Sequence, residues 1–361
     1  MREARLVDAE ALRALTFDIV RAMGASAETA REVSNHLVMA NLSGHDSHGV
    51  LRLAQYVAEQ DRGQLVPAAE VELLRAGPVC ALFDAHRGFG QRSTMAATEW
   101  VISRARELGV AAAAVRHSTH IGRLGEYAER LTGEGLIGLV TVGMAGPESG
   151  RVAPFGGTAR FLGTNPWSIG VPAAGRPPMI FDAATSSVAE GKVRLAVARG
   201  VEVPLGTVLD PEGRPTRDPA QLYAGGTLSV LGGDLAGHKG FGLSLAAALV
   251  GGLAMIDDPD PTTAGTMQQQ TGEWGDRLAG VFLVGIDPGA FGDPLDYQRR
   301  VAGVLDALNA APPVPGVDRV QVAGDPERAS RETRRREGIP IPPVIWEGLS
   351  AVAARFGVPL P

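Results

Sequence analysis

The alternation of short apolar runs with helical segments between residues 79 and 143 is the feature that most constrains the fold. The apolar runs at 79–83, 110–115 and 136–143 have the length and composition of buried strands. The intervening segments, 91–108 and 122–132, carry apolar residues at helical spacing. This strand-helix-strand-helix-strand order predicts an α/β domain, in which helices cover a sheet.

The same criteria predict the rest of the chain. In the central region they predict strands at 167–171, 179–181 and 281–285, a loop-rich region at 204–233, a long helix at 239–255 and a polar loop at 267–270. The chain ends are instead helical, at 8–23, 26–42, 295–309, 325–336 and 345–356. We therefore predict a helical domain over 1–72, an α/β domain over 73–293, and C-terminal helices over 294–361 that pack back on the N-terminal domain.

Charge and cysteine content exclude several classes of function. A net charge of −6 provides no basic surface for nucleic acid, and the basic run at 331–336 is expected to be a solvated helix face. Cys80 is the only cysteine, which excludes an internal disulfide or a thiolate zinc cluster; its apolar neighbours predict a buried strand position. The N-terminus is charged and the longest apolar stretch, 243–256, is too short to cross a bilayer. We therefore expect a cytoplasmic protein without a membrane partner.

A polar stretch at residues 44–56 interrupts the N-terminal helices. If a helix restarts near Gly49, then His48, Arg52 and Tyr56 lie on one of its faces. Such a face would offer an imidazole, a guanidinium and a phenol to a small acidic molecule.

A simpler interpretation of the same stretch is a helix N-terminus. In that case Asp46 or Ser47 caps the helix and the arginine that follows lies on the surface. The stretch by itself does not decide between the two interpretations.

The histidines form a second pattern, because two His-x-x-His pairs occur, one at 45–48 and one at 117–120. The second pair lies between a predicted strand and helix, where α/β sheets commonly place functional groups. A zinc site is one hypothesis. We predict no metal site, because such pairs need not converge at a loop and no His-Glu-x-x-His motif accompanies them. We expect structural roles for His45 and His117, and functional roles for His48 and His120.

Nucleotide-binding motifs of the common types are absent. Neither glycine pair that could begin a Gly-x-Gly-x-x-Gly motif has the third glycine: Ser93 and Leu245 occupy those positions. The single Gly-Lys pair is followed by Val193, so the Walker pattern fails as well. A Rossmann or P-loop site is therefore not expected.

Two other segments could bind a phosphate at the start of a helix. Residues 182–189 follow a predicted strand and supply Thr185, Ser186 and Ser187, and residues 237–242 supply Lys239 before the long helix. The alternatives are a Ser/Thr helix cap for the first segment and a glycine-rich turn for the second. Their joint occurrence favours a phosphate-bearing ligand.

Eight motifs, taken in order over nearly the whole chain, resemble one known family. They are GHDSHGVLRL (44–53), HSTHIGRLGEYA (117–128), VAPFGG (152–157), LGTNP (162–166), FDAATSSVAEGKV (181–193), GHKGFGL (237–243), IDPGAF (286–291) and REGIPIP (336–342). The chain resembles the malate/L-lactate dehydrogenase-like NAD(P)-dependent oxidoreductases, a family unrelated to the Rossmann-fold malate and lactate dehydrogenases.

The resemblance implies a fold and a reaction. The expected fold is the family's non-Rossmann nicotinamide-binding α/β fold, with a helical domain built from both chain ends and a homodimeric assembly. The expected reaction is hydride transfer between NAD or NADP and a small 2-oxo or 2-hydroxy carboxylic acid. Family members act on malate, sulfolactate, ureidoglycolate, diketogulonate and, as ketimine reductases, on piperideine-2-carboxylate.

The resemblance also implies roles for individual residues. Arg52 would bind the substrate carboxylate, and His120 or His48 would move the proton, with His120 preferred. The remaining candidates are Ser47 for orientation or proton relay, Tyr56 for lining the pocket, Asp182 for polarising a hydroxyl, and Ala183, Thr185, Ser186, Ser187, His238, Lys239, Gly324 and Asp325 for binding the cofactor.

Two departures from the family pattern leave the substrate open. Thr119 stands where many members have asparagine, and residues 142–144 lack the asparagine or lysine found in several branches. The alternatives are a ketimine reductase, a metal-dependent hydrolase or lyase that uses the paired histidines, and a non-catalytic relative that binds a small acid. The choice between NAD and NADP also stays open.

Overall fold

The central element of the computed structural model, which describes residues 4–258 and 278–361, is a seven-stranded mixed sheet. Its strands are β2 (Glu72–Ala76), β3 (Cys80–Asp84), β4 (Val110–Arg116), β5 (Ile137–Ala145), β6 (Trp167–Val171), β7 (Met179–Ala183) and β11 (Leu278–Ile286). They lie in the order β2-β3-β4-β11-β5-β6-β7, and β3 and β4 are the parallel neighbours. Strand β11 inserts between β4 and β5, antiparallel to both.

Helices cover both faces of this sheet, which confirms the predicted α/β class. Helices α4 (Gly90–Leu108) and α5 (Gly125–Gly133) cover one face, and α7 (Gly233–Gly251) covers the other. Strand alternation separates the two sides: a Cβ at Gly138 would meet Leu131 of α5, whereas one at Gly143 would meet the backbone of Ala247 in α7.

The chain ends pack together around a second core. Helices α1 (Ala9–Ala22), α2 (Ala27–Leu42) and α3 (Arg52–Asp61) bury an apolar cluster that is shared with α10 (Pro343–Arg355). Strands β1 (Arg5–Val7) and β12 (Ile339–Ile341) pair antiparallel beside it. As predicted, Ser26 caps α2. The division into domains at 1–72, 73–293 and 294–361 stays a prediction.

The other C-terminal helices contact different surfaces. Helix α8 (Pro294–Asn309) lies near the loop before β7, where Asp306 pairs with Arg176. Helix α9 (Asp325–Glu337) contacts α2, and its basic residues are not simply solvated as predicted. Arg334 pairs with Asp46 at 2.6 Å and therefore ties α9 to the polar stretch.

Several local predictions need correction. Cys80 is exposed instead of buried. It is the first residue of β3 and lies at the end of that strand. Helix α6 (Glu190–Arg199) precedes the loop-rich region. That region contains a small sheet of three short strands, β8 (Val208–Leu209), β9 (Pro215–Thr216) and β10 (Thr227–Leu228). Strands β1 and β2 were not predicted. The polar loop predicted at 267–270 lies outside the described residues.

The long apolar helix begins earlier than predicted. Helix α7 starts at Gly233, has a non-helical backbone at Ala236, and continues into a 3₁₀ turn that ends at Met255. By length and composition the 23 residues Gly233–Met255 could cross a membrane, and 39% of their most apolar window is buried. One face packs on β5 and β11, as in the core helix of a globular protein. The cytoplasmic location stays a prediction.

Candidate active site

The candidate site is an open cavity, about 690 Å³ with the solvent-filled space at its mouth included, where the polar stretch at 44–56 meets the ends of β4 and β5. Its lining is mostly apolar and includes three histidines, His48, His117 and His120. The lining residues used below are His48, His120, Val142, Met144, Asn165 and Val281.

His120 is one of the histidines that line the cavity. Its side chain is buried, and its Nδ1 is 2.8 Å from the hydroxyl of Tyr56. Its Nε2 is buried without a hydrogen-bond partner. A buried polar atom without a partner is costly, so an unpaired imidazole nitrogen on a cavity wall indicates a group kept for a ligand.

His48 lies beside His120, but not on the helical face that the sequence predicted for it. Residues Asp46–His48 form a 3₁₀ turn and Gly49 is extended, so α3 begins at Arg52 and His48 is not on it. The imidazoles stack instead, with ring centroids 5.5 Å apart. The capping alternative is also wrong, because no side chain caps α3.

Electrostatics keep both imidazoles neutral. Burial, followed by the positive charge of Arg52, lowers the pKa of His48 to about 3. The same two causes, in the same order, lower the pKa of His120 well below its ordinary value of 6.5. Ser47 donates or accepts a hydrogen bond at His48 Nδ1, 3.0 Å away. An anionic ligand would raise both pKa values.

Arg52 begins α3 close to His48, whose pKa its charge lowers, but it is not among the cavity-lining residues. Its Nε donates to the carbonyl of Ser47 at 2.7 Å, and its Nη1 bonds to Gln55. Its Nη2 has no hydrogen-bond partner among residues 4–258 and 278–361. Burial lowers the pKa of Arg52, but a guanidinium stays protonated at neutral pH. One end of the guanidinium is therefore positioned and the other can bind an anion.

Tyr56 does not line the cavity as the sequence suggested. Its side chain is fully buried behind His120, and its hydroxyl also receives a hydrogen bond from Gln91 at 2.6 Å. Burial raises the pKa of the Tyr56 hydroxyl. The tyrosine therefore contacts His120, which lines the cavity, and does not line the cavity itself.

The other two histidines of the paired motifs contact carboxylates, and their structural roles stay a prediction. His45 Nε2 is 3.0 Å from Glu327. His117 bridges two carboxylates, Asp84 at Nδ1 and Asp258 at Nε2. In the part of the chain that the structure describes, no group of three or more His, Cys, Asp or Glu side chains could hold a metal ion.

Asp182 belongs to a buried ionic network beside the site. Its carboxylate accepts from the backbone N–H of Gly125 at 2.7 Å and lies 3.7 Å from Arg123. Burial raises the pKa of Asp182. Arg123 is 1% exposed and pairs with Glu129 at 2.6 Å. Asp182 is not among the cavity-lining residues, and its predicted catalytic role is not tested by this position.

The structure joins the two predicted phosphate-binding segments. Thr185 O accepts from the N–H of Leu231, and the chain then enters α7 through Gly232. The hydroxyls of Thr185, Ser186 and Ser187 already bond to backbone carbonyls. Lys239 and His238 are exposed on the first turns after the irregular Ala236, while Ala183 ends β7.

Gly324 and Asp325 lie elsewhere. The carbonyl next to them, that of Ala323, accepts from Ile180 near the start of β7, whereas the Thr185 segment follows the end of that strand. Asp325 is buried and accepts from the N–H of Val322 and from Asn309. The fold therefore uses Asp325 to fix the start of α9.

Sequence reasoning missed two residues that build the site. Gln91 bonds to Tyr56, and Asn165 holds the cavity wall through hydrogen bonds to both backbone groups of Met144. Asn165 has a positive φ of 39°, which asparagine tolerates better than most residues. The only sequence signal was the LGTNP motif. Thr119, the noted departure, bonds to Gly88 and Gly90 and supports the loop.

Comparisons with known proteins agree with this geometry. A family model described as malate/L-lactate dehydrogenase matches residues 7–350. The chain is 33% identical over 345 residues to a malate dehydrogenase of Pyrococcus abyssi, covering 94% of this chain and 92% of that protein. It is 32% identical over 339 residues to a Δ1-pyrroline-2-carboxylate reductase of Ancylobacter novellus, covering 94% of each.

A solved structure supports the same conclusion. A malate dehydrogenase from Entamoeba histolytica aligns with a TM-score of 0.88 and 26% identity, over 99% of this chain and 100% of that chain. The matches span nearly the whole sequence, so fold and enzymatic class are shared. The chain belongs to the malate/L-lactate dehydrogenase family of nicotinamide-dependent oxidoreductases.

Proposed function

We propose that this enzyme transfers a hydride reversibly between NAD or NADP and a small 2-hydroxy or 2-oxo carboxylic acid, and that His120 donates or accepts the proton. The observation that carries the proposal is the buried, unpaired Nε2 of His120 in the cavity. A proton-transfer group must lie within hydrogen-bond reach of the substrate oxygen, and this nitrogen is free to do so.

The apolar part of the cavity fits the other half of the reaction. The flat nicotinamide ring needs a dry, mostly apolar wall, which Val142, Met144 and Val281 provide. When bound, the nicotinamide supplies or accepts the hydride at its C4 atom. The imidazole of His120 lines the same cavity.

Arg52 would hold the substrate carboxylate through its free Nη2. An arginine suits a carboxylate because the two groups match in geometry and charge. Binding this anion would also raise the pKa of His120 and His48, which burial has lowered, and so bring proton exchange closer to neutral pH. Ser47 and His48 would orient the substrate or relay protons.

We further propose that the joined segments bind the cofactor phosphates. Support comes from the exposure of Lys239 and His238 and from the pairing of the Thr185–Ser187 turn with residues 229–231, which precede α7. The hydroxyls of Thr185 and Ser186 already have protein partners, so backbone groups and Lys239 would make the main contacts. Ala183, Gly324, Asp325 and the catalytic role of Asp182 stay predictions.

A second candidate is reduction of a cyclic ketimine acid. The lining residues of the cavity include no lysine or arginine in the part of the chain described, so nothing there would hold a second carboxylate. An apolar ring bearing one carboxylate would fit the wall at Met144. One relative named above is a Δ1-pyrroline-2-carboxylate reductase.

We also propose a homodimer. Helix α7 carries exposed large apolar side chains: Leu235 is 93% exposed, Leu243 49% and Leu249 52%. Exposed apolar side chains are a feature of surfaces that pack against another protein. Light scattering at several concentrations would measure the subunit number.

The proposed function is tested by following nicotinamide absorbance with NAD or NADP and a panel of 2-oxo acids, 2-hydroxy acids and cyclic imino acids. His120→Asn is expected to lower kcat by about 10²- to 10⁴-fold, because general acid–base catalysis contributes that much. Calorimetry should show an unchanged Kd for the nicotinamide.

The matched control is His86→Asn, at an exposed histidine that pairs with Glu72 outside the cavity. It should keep full activity. Full activity of both His120→Asn and His48→Asn would contradict the proposed roles, and activity that needs zinc but no nicotinamide would favour the hydrolase alternative.

A further inference from the structure

Three buried polar groups form a chain that ends at the cavity. Gln91 Nε2 is 2.6 Å from the hydroxyl of Tyr56, which is 2.8 Å from His120 Nδ1. Gln91 is 1% exposed and its Oε1 is buried without a partner. The chain therefore connects an amide on α4 to the ring that faces the substrate.

A close backbone contact fixes this chain in place. Gly90 precedes Gln91, and a Cβ at Gly90 would lie 2.5 Å from the carbonyl oxygen of Thr119 and 2.7 Å from that of His120. Only glycine allows such an approach. The start of α4 therefore packs directly against the backbone of His120, and Gln91, the second residue of α4, lies behind the imidazole of that histidine.

The direction of one hydrogen bond sets the direction of the next, because the tyrosine hydroxyl has a single hydrogen. When the Gln91 amide N–H donates to Tyr56 and the hydroxyl hydrogen points to Nδ1 of His120, that nitrogen is unprotonated, so the proton of the neutral ring is on Nε2. In the structure the Gln91 amide nitrogen faces the Tyr56 hydroxyl, as this arrangement requires, and the 2.8 Å contact between that hydroxyl and Nδ1 fits either direction of the hydrogen bond.

Rotating the amide by half a turn reverses the chain. Gln91 Oε1 then accepts from the Tyr56 hydroxyl, and the hydroxyl oxygen accepts from a protonated Nδ1 of His120. Nε2 now carries a lone pair, or a second proton when the ring is an imidazolium. In this arrangement the ring exchanges one proton at Nε2 with the substrate oxygen, between imidazolium and neutral imidazole, while Tyr56 keeps its own proton.

The first arrangement does not allow that exchange. There Nε2 already carries the only proton of the neutral ring, and losing it would leave an imidazolate or a tyrosinate. Burial makes a tyrosinate unfavourable, since it raises the pKa of Tyr56. The two amide orientations therefore correspond to a resting ring and to a ring competent for proton transfer.

We propose that Gln91 is a positioning residue that selects, through Tyr56, which ring nitrogen of His120 carries the proton, and that turning its Oε1 toward Tyr56 makes the imidazole competent. This inference rests on the proposed proton-transfer role of His120. The other charged or titratable groups around this imidazole are Arg52, His48 and His36, and none of them bonds to Nδ1.

The first test measures the tautomer without reference to turnover. In protein labelled with ¹⁵N in its histidines, two-bond ¹H–¹⁵N spectra distinguish Nε2–H, Nδ1–H and imidazolium rings, and the spectrum of His120→Asn assigns the signal. Gln91→Glu supplies a carboxylate that can only accept when ionised, so the signal should move from Nε2–H to Nδ1–H or imidazolium. Gln91→Leu, which keeps the apolar volume but has no hydrogen-bonding group, should give a mixture.

The second test uses the pH dependence of kcat/KM. Gln91→Glu should move the limb assigned to His120 to higher pH by about one unit, a tenfold change in proton affinity. In a Tyr56→Phe background the same substitution should move neither the limb nor the tautomer. Thermal unfolding checks that each variant is folded.

The outcomes separate the two proposals. A His120 tautomer that stays Nε2–H in Gln91→Glu and in Gln91→Leu overturns the inference whatever the activity. A shift that persists in the Tyr56→Phe background also overturns it. If the tautomer responds to Gln91 while the pH profile stays fixed, the proton-transfer role of His120 fails, and the proposed function fails with it.

Discussion

Replacing Glu126 by glutamine should stabilise the protein at alkaline pH and leave its stability nearly unchanged in acid. Glu126 lies on α5, with its Oε2 3.3 Å from His36 Nδ1 and without a hydrogen-bond partner. The Nε2 of His36 accepts from the backbone N–H of Arg123. Burial, followed by the positive charge of Arg123, lowers the pKa of His36 to about 3, so the ring is neutral. A carboxylate charge at Glu126 is therefore poorly compensated.

The magnitude follows from the pKa of Glu126, which burial raises from 4.5 to about 7. Each pKa unit corresponds to about 1.4 kcal/mol, so the full effect is about 3 kcal/mol. The folded state keeps the proton where the unfolded state has lost it, so the contribution to the unfolding free energy falls as pH rises from 4.5 to about 7. Glutamine does not titrate and avoids this loss.

Urea unfolding followed by circular dichroism at pH 5, 6, 7 and 8, at one protein concentration, measures the effect. The difference between Glu126→Gln and the wild type should grow with pH and level off above pH 7. Comparison at each pH removes the opposite trend caused by the buried His36 and His48, whose pKa values of about 3 make stability rise with pH below 6.5.

The matched control is Glu129→Gln in the same helix. The pKa of Glu129 is lowered, with burial opposed by the nearby Arg123 and Arg331, so its charge stabilises the folded state. Its replacement should therefore destabilise the protein at pH 7. A difference for Glu126→Gln that is constant from pH 5 to pH 8 would refute the reasoning.

Three further predictions concern the frame of the site. Thr185→Val should lower the unfolding free energy by about 1–2 kcal/mol, because Oγ1 donates its one hydrogen to the carbonyl of Thr164 or of Asn165, and unchanged urea unfolding would contradict this. Gly143→Ala should cost about 1–3 kcal/mol, since the new Cβ would lie 2.4 Å from the backbone of Ala247; a calorimetric Tm equal to that of the wild type would count against this packing. Exposed Cys80 should react with a thiol reagent in the folded enzyme as fast as in urea, and strong protection would disprove its exposure.

Much of the fold could be predicted because its signals are local. Helical spacing and the Ser26 cap located α2, and the apolar run at 167–171 coincides with β6. Strand β11 was placed at 281–285, but its insertion between β4 and β5 was not predicted, since pairing partners are chosen by contacts across more than a hundred residues. The sequence likewise could not show that Cys80 lies near the outer end of its strand.

The site was predicted as a set of residues more accurately than as a geometry. The polar stretch and the second histidine pair are recognisable because a core does not require such side chains, and His48 and His120 do meet. The helical face predicted to carry His48, Arg52 and Tyr56 does not include His48, because Gly49 is extended before α3. Their stacking brings together the 3₁₀ turn at Asp46–His48 and the segment that follows β4.

The sequence by itself determined which chemical groups are present: the histidines, the arginine, the hydroxyl-rich turn at Thr185 and the family that uses them. Only the tertiary structure decided what each group faces. It turned Tyr56 away from the cavity and toward Gln91, and it left Nε2 of His120 without a partner. The physical reason is that spacing along the chain fixes a periodicity, whereas burial and hydrogen-bond direction depend on atoms brought together from distant segments.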